Sequence, residues 1–398
     1  MTEIFIKKEQ EGKKIALVEN GILTEYYEEN EEDNRREGNI YIGIVRNIIK
    51  GMQSAFVDIG TEKNSFIHLK DVLPKVDEKK EKKEDEIKDI SKILKPNQKI
   101  IVQVKKDSNE QKGARVSTHI NLPGKYIVLL PGTDIITVSQ KIEDKKEQER
   151  LIKIVQENIS ENNGAIIRTS SKGKEKEIIK EIKSLENKWN KICEKEVDVN
   201  SKKPELIYKS EDIAKKMLID LSTKGISNIY TNSQEEYNEI KEILQENEEY
   251  KNIKLQLGGK DILEKYNLKN QIEKSKNRKI WLKCGGFITI DKTEALTAID
   301  VNTGKYIGGA NKVEQTIYKV NMEATIEIAK QLRLKDIGGI IIIDYIDMLN
   351  KEDKEKIEEL LKKELKKDRT KTQVEGFTKL DLMELTRKHI CSHKEWEI

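Results

Sequence analysis

The pattern of hydrophobic and polar positions divides the chain into short strands and amphipathic helices. Apolar runs between polar or glycine-containing links predict strands near the N-terminus and again from residue 40 to about residue 117. The strongly acidic stretch 25–37 predicts a loop between these regions. Residues 144–160 and 175–192 place apolar side chains at helical spacing, so both predict amphipathic helices. We therefore expect strands and helices to be combined in several domains.

The clearest pattern lies in the C-terminal region, residues 278–398. Two short strands around a polar turn are followed by a long helix, a fully apolar strand that is predicted to be buried, and a second helix capped by Asn350. The predicted strands are Phe287–Ile290, Ala295–Ile299 and Ile340–Ile343, and the predicted helices are 312–334 and 351–366. This order predicts a mixed-sheet α/β domain.

Composition limits the class of protein without naming a function. The 398 residues suffice for about two to four domains. Lys and Arg number 75 and Asp and Glu number 72, so the net charge is only +3. This balance excludes a uniformly basic nucleic-acid coat and an acidic disordered tail. Any basic binding surface must therefore be local.

Cysteine spacing and hydropathy indicate the compartment. Cys193, Cys284 and Cys391 are far apart and form no CxxC pair, which excludes a disulfide framework and a paired-cysteine zinc site. The N-terminus has no signal-peptide core, and the longest aliphatic run, Ile340–Ile343, is far shorter than the ~18 residues of a membrane helix. We therefore expect a cytoplasmic protein without a membrane segment.

Two aspartates at predicted strand ends are the first candidates for chemistry. Asp300 ends one strand, and Asn302 points to the same face, where it can orient that carboxylate. Asp344 ends the apolar strand. Two such carboxylates form an oxygen-rich site suited to Mg²⁺ or Mn²⁺ and to phosphodiester hydrolysis. The alternative is that both are ordinary turn residues, and Asp347 either supports the site or only the turn.

A second candidate surface lies in the strands near residues 52–69. Alternation there turns Phe56 and Phe66 away from the core, which suggests a base-stacking platform or, alternatively, rings that cap a barrel end. Residues 99–126 add a local basic stripe, which is typical of single-strand binders. The stripe comprises Lys99, Lys105, Lys106, Lys112, Arg115 and Lys125, against Asp107 and Glu110.

Two further groups are less specific. Arg168 and Thr169 follow a buried-type strand and can clamp a terminal phosphate, although an ordinary surface salt bridge is the more common role of such an Arg. His389, Cys391 and His393 can hold a metal, or they lie in a frayed C-terminus. The chain contains no GxxxxGK[ST] loop, HExxH helix or serine-nucleophile elbow.

These constellations, in this order, resemble the ribonuclease E/G family of bacterial endoribonucleases over essentially the whole chain. Ala55–Gly60 resembles the family's S1-type RNA-binding domain, and Gly124–Pro131 with Ile166–Thr169 resembles its 5′-phosphate sensor. The most specific stretches are Thr293–Gly304, Gln331–Leu334 with Gly338–Asp347, Phe377–Leu380 and Glu384–Arg387.

The resemblance implies a multidomain α/β fold. Its parts are an RNase H-like domain with an inserted S1-type OB barrel and 5′-sensor region, followed by a DNase I-like α/β catalytic domain. The implied boundaries are 1–38 (RNase H-like, first part), 39–119 (S1-type OB domain), 120–210 (sensor region), 211–277 (RNase H-like, second part) and 278–398 (DNase I-like catalytic domain).

The resemblance also implies an activity. We expect Mg²⁺-dependent hydrolysis of single-stranded, often A/U-rich RNA to 5′-phosphate and 3′-hydroxyl ends, in RNA processing and decay, with ribosomal or messenger RNA as candidate substrates. Mn²⁺ is an alternative cation. By position, Asp300 and Asp344 would bind the metal and Asn302 would position one of them. The other implied residues are Phe56, Phe66 and Lys112 for RNA binding, and Arg168, Thr169, Gly124 and Val128 for the 5′-phosphate sensor.

Two departures from the family pattern keep other interpretations open. The family usually carries a CPxC zinc-link and a small dimerisation domain, whereas only Cys391 lies near that point, so we expect neither zinc nor oligomerisation through a zinc-link. Asp381 stands where the family usually has Gly. The alternatives to an enzyme acting on RNA are a non-catalytic RNA-binding or ribosome-associated factor with the same fold, and a small-molecule phosphodiesterase.

Overall fold

The computed structural model describes eight stretches of the chain: 1–30, 36–72, 89–108, 112–194, 203–221, 225–246, 250–304 and 313–390. The strands in these stretches are β1 (Thr2–Glu9), β2 (Gly12–Glu19), β3 (Ile22–Asn30), β4 (Ile40–Ile49), β5 (Ser54–Asp58), β6 (Ser65–His68), β7 (Lys99–Lys106), β8 (Arg115–Ser117), β9 (Leu122–Pro123), β10 (Ile127–Pro131), β11 (Ile136–Val138), β12 (Asn163–Ile167), β13 (Glu205–Tyr208), β14 (Ile226–Thr231), β15 (Lys254–Leu257), β16 (Lys279–Trp281), β17 (Phe287–Lys292), β18 (Leu296–Asn302), β19 (Gly339–Asp344), β20 (Thr372–Phe377) and β21 (Leu382–Arg387).

The α-helices of the described stretches connect and cover these strands. They are α1 (Leu69–Val72), α2 (Ile90–Ile93), α3 (Lys145–Asn158), α4 (Glu175–Glu194), α5 (Ile213–Leu221), α6 (Gln234–Glu246), α7 (Ile262–Lys265), α8 (Leu268–Ser275), α9 (Val313–Leu334) and α10 (Lys351–Leu365). Among the described residues, no helix has both the length and the apolar composition that crossing a membrane requires.

The chain divides into two compact units. One comprises Met1–Asp33 and Lys224–Ile398, and the other comprises Asn34–Thr223. The continuous second unit is therefore inserted, in sequence, into the first. The five finer boundaries given above stay predictions.

In the second unit, five strands close into a barrel. Their order is β4-β5-β6-β8-β7, and β7 pairs back with β4, so the ring of hydrogen bonds is complete. Alternating side chains fill the interior, where Ala55, Val57 and Ile67 are fully buried. This closed barrel is consistent with the predicted S1-type OB domain.

A smaller sheet in the same unit has the order β11-β12-β10-β9. β10 and β12 are antiparallel, and their register pairs the fully buried Ile127 and Ile167. Helices α3 and α4 pack on this sheet with the apolar faces that the sequence predicted. β12 ends directly before Arg168, one of the residues predicted to bind a terminal phosphate.

The first sheet of the first unit has the order β15-β14-β1-β2-β3. The N-terminal strand β1 pairs in parallel with β14, so strands from distant parts of the sequence share one sheet. The prediction of a loop over residues 25–37 is wrong at its start, because β3 continues to Asn30 with Tyr26 and Tyr27 buried. Even Glu25 is only 1% exposed in this strand.

A buried ionic cluster explains why an acidic residue is tolerated inside. The Glu25 carboxylate accepts hydrogen bonds from Arg369 Nε at 2.9 Å, Arg333 Nη2 at 3.3 Å and the Tyr27 hydroxyl at 2.9 Å. Burial by itself raises the pKa of Glu25, but the charges of Arg369 and Arg333 outweigh it and hold the pKa below its usual range. The sequence pattern of β3 does not show the two arginine partners because they lie more than 300 residues away.

The second sheet of this unit has the order β16-β17-β18-β19-β21-β20. β18 and β19 are parallel and the other neighbours are antiparallel, so the predicted mixed-sheet α/β domain is confirmed. Helices α9 and α10 pack on one face, where Ile341 and Ile343 are fully buried. The prediction of a wholly buried strand is wrong, since Ile340 is 51% exposed on the opposite face. This helix-free face carries the candidate site.

We expect Glu25→Gln to destabilise the first unit by about 3–5 kcal/mol. The substitution removes the negative charge that compensates two buried guanidinium groups, and breaking a buried ion pair on one side costs about that much. Urea unfolding followed by circular dichroism measures the change.

Glu9→Gln is the matched control. Glu9 also pairs with cations, Lys14 and Lys7, but at the surface, so its loss should cost less than about 1 kcal/mol. Equal unfolding midpoints for the two variants would show that the buried cluster contributes no more than a surface pair.

Candidate functional site

Two aspartates lie side by side on the helix-free face of the second sheet. Asp300 lies in β18 and Asp344 is the last residue of β19, and the parallel register pairs them directly. Both are exposed. The strand was predicted to end before Asp300, but β18 continues to Asn302 because β17 keeps pairing with it as far as Phe287. Asp300 is therefore held within a strand and not in a turn.

Asn302 orients the first of these carboxylates. Its side-chain amide Nδ2 donates a hydrogen bond to Asp300 Oδ2 at 2.6 Å. The contact follows from strand geometry, since residues two apart in a strand point to the same face. The hydrogen bond restricts rotation of the Asp300 carboxylate, as expected from the sequence.

The two carboxylates disfavour each other's charge. Partial burial raises the pKa of Asp344, and the negative charges of Asp300 and then Asp347 raise it further. Asp347 thus contributes through its charge, from the segment after β19. No group of three or more His, Cys, Asp or Glu side chains in the described stretches is arranged to hold a metal, so the donor set here is two carboxylates and a neighbouring amide.

The sequence analysis missed a residue that anchors this site from behind. Asn321 of α9 is fully buried, donates to the Ile346 carbonyl at 2.8 Å and accepts from the Ile346 N–H at 3.1 Å. On the next turn, the Thr325 hydroxyl hydrogen-bonds the Tyr345 hydroxyl at 2.9 Å. The sequence did contain a signal for these contacts. Asn321 and Thr325 are polar residues on the buried face of α9, and a buried polar group needs a hydrogen-bond partner.

The barrel carries the predicted aromatic surface. Phe56 and Phe66 are directly paired across β5 and β6, outside the buried core, with ring centroids 6.3 Å apart at 69°. Lys112 is exposed just before β8. The neighbouring Gly113 lets the chain approach β6, because a Cβ there would meet the Asn64 carbonyl oxygen at 2.0 Å. The rings thus form an edge-to-face pair that presents part of its surface.

The predicted basic stripe is not one continuous surface. Lys125 is only 9% exposed and lies over the Tyr126 ring, so it is wrongly included. Arg115 is engaged by the Asp71 carboxylate in a two-pronged ion pair with a shortest distance of 2.9 Å. Glu110 lies outside the described residues.

Two contacts hold the Arg168 guanidinium at the end of β12. Its Nη1 donates to the Gly124 carbonyl at 2.7 Å, and its Nη2 contacts Asp220 Oδ1 at 2.5 Å. The salt bridge predicted for Arg168 is therefore present, whereas binding of a terminal phosphate by this residue stays a prediction. Thr169 is exposed and Val128 is half-buried.

Glu181 of α4 fixes the loop next to Arg168. Its carboxylate accepts backbone hydrogen bonds from Lys125, Tyr126 and Ile127 at 2.7–2.9 Å. Burial raises the pKa of Glu181, although these hydrogen bonds and the charge of Arg168 oppose the rise. Gly124 is required here, since a Cβ would lie 2.6 Å from the Glu181 carboxyl carbon. Sequence reasoning missed this residue because it occupies an ordinary helix position.

The remaining positions singled out from the sequence are His389, Cys391, His393 and Asp381. His389 Nδ1 lies 3.0 Å from the Asp336 carbonyl oxygen, while Cys391 and His393 lie outside the described residues. Asp381 adopts a left-handed φ of 59° in the turn between β20 and β21. That backbone conformation favours glycine and tolerates Asp, so the turn keeps its geometry despite the side chain.

A model of the Ribonuclease E/G family matches residues 121–390. Ribonuclease G of Escherichia coli (strain K12) is 38% identical over 394 residues, covering 97% of this chain and 79% of that protein. Ribonuclease G of Haemophilus influenzae is 39% identical, covering 94% and 77%. Ribonuclease E of Nostoc sp. is 33% identical, covering 88% of this chain and 51% of that protein.

We expect Asp344→Asn to leave the stability of the metal-free protein unchanged within about 0.5 kcal/mol, or to raise it. Like charges facing each other across strands are unfavourable, and an exposed site loses little packing. Because folding raises the pKa of Asp344, the contribution of this residue to stability falls as the pH rises through that pKa, and the variant should lack this fall. Urea unfolding in EDTA across acidic and neutral pH measures both effects.

Asp368→Asn provides the contrast. Asp368 is buried and accepts from Arg387 Nε at 2.7 Å, so its neutralisation should cost about 3 kcal/mol or more. A large loss of stability in Asp344→Asn would mean that this carboxylate has a structural partner in the fold.

Proposed function

The chain belongs to the ribonuclease E/G family, and on that premise we propose that it is a Mg²⁺-dependent endoribonuclease acting on single-stranded RNA in RNA processing and decay. The relatives named Ribonuclease G and Ribonuclease E support hydrolysis of RNA. One observation carries the metal-dependent chemistry: the exposed Asp300 and Asp344 carboxylates face each other in register, and Asn302 holds one of them.

The donor set fits a hard divalent cation. Mg²⁺ is usually held by one or two carboxylates and keeps waters and phosphate oxygens in its other positions, so two exposed aspartates suffice, and Mn²⁺ is an alternative. A cation at this pair would also offset the repulsion that raises the pKa of Asp344. When bound, it would supply an activated water and stabilise negative charge on the phosphate.

The protein's own part in the reaction is to hold the two carboxylates. Asn302 restrains Asp300, and Asn321 fixes the backbone just after Asp344. In the proposed hydrolysis, a water oxygen forms a bond to phosphorus and the P–O3′ bond breaks. O3′ leaves with a proton as the 3′-hydroxyl of one fragment, and the other fragment keeps the 5′-phosphate. Pre-oriented carboxylates need no rearrangement as the anionic RNA backbone approaches.

We also propose that the barrel binds the RNA. Phe56 and Phe66 present a partly exposed aromatic pair, and stacking contributes about 1–3 kcal/mol per base without demanding a sequence. Lys112 adds a positive charge near a polyanion. A single-stranded, A/U-rich RNA, whose unpaired bases are available for stacking, is the substrate we would test first.

For the sensor, we propose that Arg168 and Thr169, with Gly124 and Val128, bind a 5′-monophosphate. The guanidinium of Arg168 is already oriented by the Gly124 carbonyl, which supports this role. An incoming phosphate would take the position of the Asp220 carboxylate or share the arginine with it.

We expect the protein to cleave a 5′-monophosphorylated, A/U-rich single strand when Mg²⁺ is present. Asp300→Asn and Asp344→Asn should each lower kcat at least about 100-fold while the variants stay folded, since each removes half of the anionic donor set. Fragment analysis on denaturing gels measures the rates, and end-labelling identifies the 5′-phosphate and 3′-hydroxyl products.

Asp291→Asn is the matched control for these variants. Asp291 lies on the same face of the same sheet but is ion-paired with Arg278, so its neutralisation should leave cleavage unchanged. RNA binding by the wild type without cleavage, in both Mg²⁺ and Mn²⁺, would contradict the enzymatic proposal and favour a non-catalytic RNA-binding factor.

We expect Arg168→Ala to remove most of the preference for 5′-monophosphate over 5′-hydroxyl RNA. A charge-assisted hydrogen bond is worth about 1.5–3 kcal/mol, so the ratio of kcat/KM values should fall roughly 10- to 100-fold. Asp220→Asn should raise the ratio, because it removes the anion that competes for Arg168.

Arg150→Ala, which removes a surface arginine of the same unit paired with Glu147, should leave the ratio unchanged. If the wild type cleaves both substrates equally well, Arg168 is a structural salt-bridge residue and the sensor proposal fails.

A further inference from the structure

A cluster of two aromatic rings and one lysine lies at an edge of the second sheet of the first unit, where β16 is the edge strand. Trp281 of β16 is 59% exposed, and its ring contacts that of Phe287 edge-to-face, with centroids 5.3 Å apart at 62°. The Lys279 ammonium lies 4.3 Å from the Trp281 ring centroid and 3.5 Å from that of Phe287. An exposed tryptophan adds little to stability, because burying its large apolar surface is what would stabilise the fold.

The register places this cluster on the face that carries the two carboxylates. One row across the sheet runs from Trp281 through Phe287 to Asn302. Directly paired residues point to the same face, and neighbouring strands are about 4.8 Å apart. Trp281 therefore lies two strands, roughly 10 Å, from Asn302.

A second row of directly paired residues carries charged groups on the same face of the sheet. It runs from Lys279 through Thr289 to Asp300 and then Asp344. A positive charge and two negative charges thus occupy the same face within three strand spacings, about 14 Å. Successive phosphates of a single-stranded nucleic acid can span such a distance.

We propose that Trp281, Phe287 and Lys279 form a nucleotide-binding subsite next to the proposed catalytic carboxylates, in which a base of single-stranded RNA stacks on Trp281 and its phosphate contacts Lys279. Aromatic rings bind bases of any sequence through their faces, and an adjacent lysine matches the backbone charge. The role is positional, because these residues would hold the strand beside the scissile phosphate. This inference rests on the proposed function for its substrate.

Two alternatives to RNA binding are a purely structural role for the cluster and contact with a second copy of the chain. A purely structural cluster would require burial of Trp281, whereas most of its surface is exposed. A second copy of the chain would cover the apolar ring of Trp281. It would not explain why Lys279 lies over two rings, in the same row of the sheet as the two carboxylates. The charge pattern therefore favours RNA.

The decisive measurement is binding in EDTA, where the metal-dependent reaction is blocked. The probe is a fluorescein-labelled, A/U-rich RNA of 12 nucleotides, with a duplex of the same sequence for comparison. Trp281→Ala should weaken single-strand binding roughly 5- to 150-fold, which corresponds to losing one stacked base. Trp281→Phe should restore part of the affinity, because it keeps an aromatic face. The RNA should also quench less tryptophan fluorescence in Trp281→Phe than in the wild type.

Two further variants sharpen the test. Leu257→Ala removes a strand residue of similar exposure from the other sheet of the unit and should change nothing. Lys279→Gln should lower the dependence of log affinity on log salt by about 0.7, as expected for one lost phosphate contact on a single strand. Thermal unfolding should be the same for all variants.

The outcomes separate this inference from the proposed function. Unchanged binding in Trp281→Ala would overturn the subsite, and a monomeric Trp281→Ala beside a dimeric wild type with equal RNA affinity would assign the face to self-association. If binding depends on Trp281 but the wild type cleaves no RNA in Mg²⁺ or Mn²⁺, the subsite stands and the catalytic proposal fails. If the wild type cleaves RNA and Trp281→Ala keeps the same KM, the catalytic proposal stands and the subsite fails.

Discussion

Parallel pairing of β18 with β19 is the constraint on which the candidate site depends. A parallel register that aligns Ile299 with Ile343 on the buried face also aligns the next residue of each strand, Asp300 with Asp344, on the exposed face. The fold therefore cannot bury its isoleucines without bringing two negative charges together. Packing against α9 supplies the favourable free energy, and the repulsion is confined to a solvated face where it is weakest.

Inside the same unit, by contrast, buried charged groups are paired with groups of opposite charge. Glu25 is surrounded by Arg333 and Arg369, and Arg387 lies between Asp336 and Asp368 at 2.7–2.9 Å. These ion pairs join β3 and β21 to α9, to the turn after α9 and to the segment between α10 and β20. Cations and anions thus compensate each other where water is excluded. The paired carboxylates of Asp300 and Asp344 differ from these clusters, because they lie on the exposed face proposed to bind a metal ion.

Much of this arrangement was predictable from local patterns. The order of β17, β18, α9, β19 and α10 followed from periodicity, and the Asp300–Asn302 contact followed from strand alternation. Glu25 was misassigned because a run of acidic residues predicts a loop unless distant arginines neutralise it. Ile340 was misassigned because a continuous apolar run does not reveal that only one face of its sheet is covered by helices.

Other positions had no local signature. Glu181 occupies a charged helix position like its neighbours, and only the fold brings it to the loop at 124–127. The Trp281–Phe287 contact depends on the register of an edge strand, which the sequence did not specify. Contacts of this kind depend on the three-dimensional arrangement, whereas the residue roles implied by family resemblance stay predictions.

The one-sided covering of the second sheet has a consequence for how a polymer is engaged. Ala298, Asp300, Ile340 and Glu384 are all exposed on one face of this sheet, and among the described residues the helices α9 and α10 pack on the other face. A tunnel or closed cleft would have to be threaded from a chain terminus. If the carboxylates cleave RNA as proposed, a strand could be laid across such a face, so an internal phosphodiester would not have to be threaded to the site from a chain terminus.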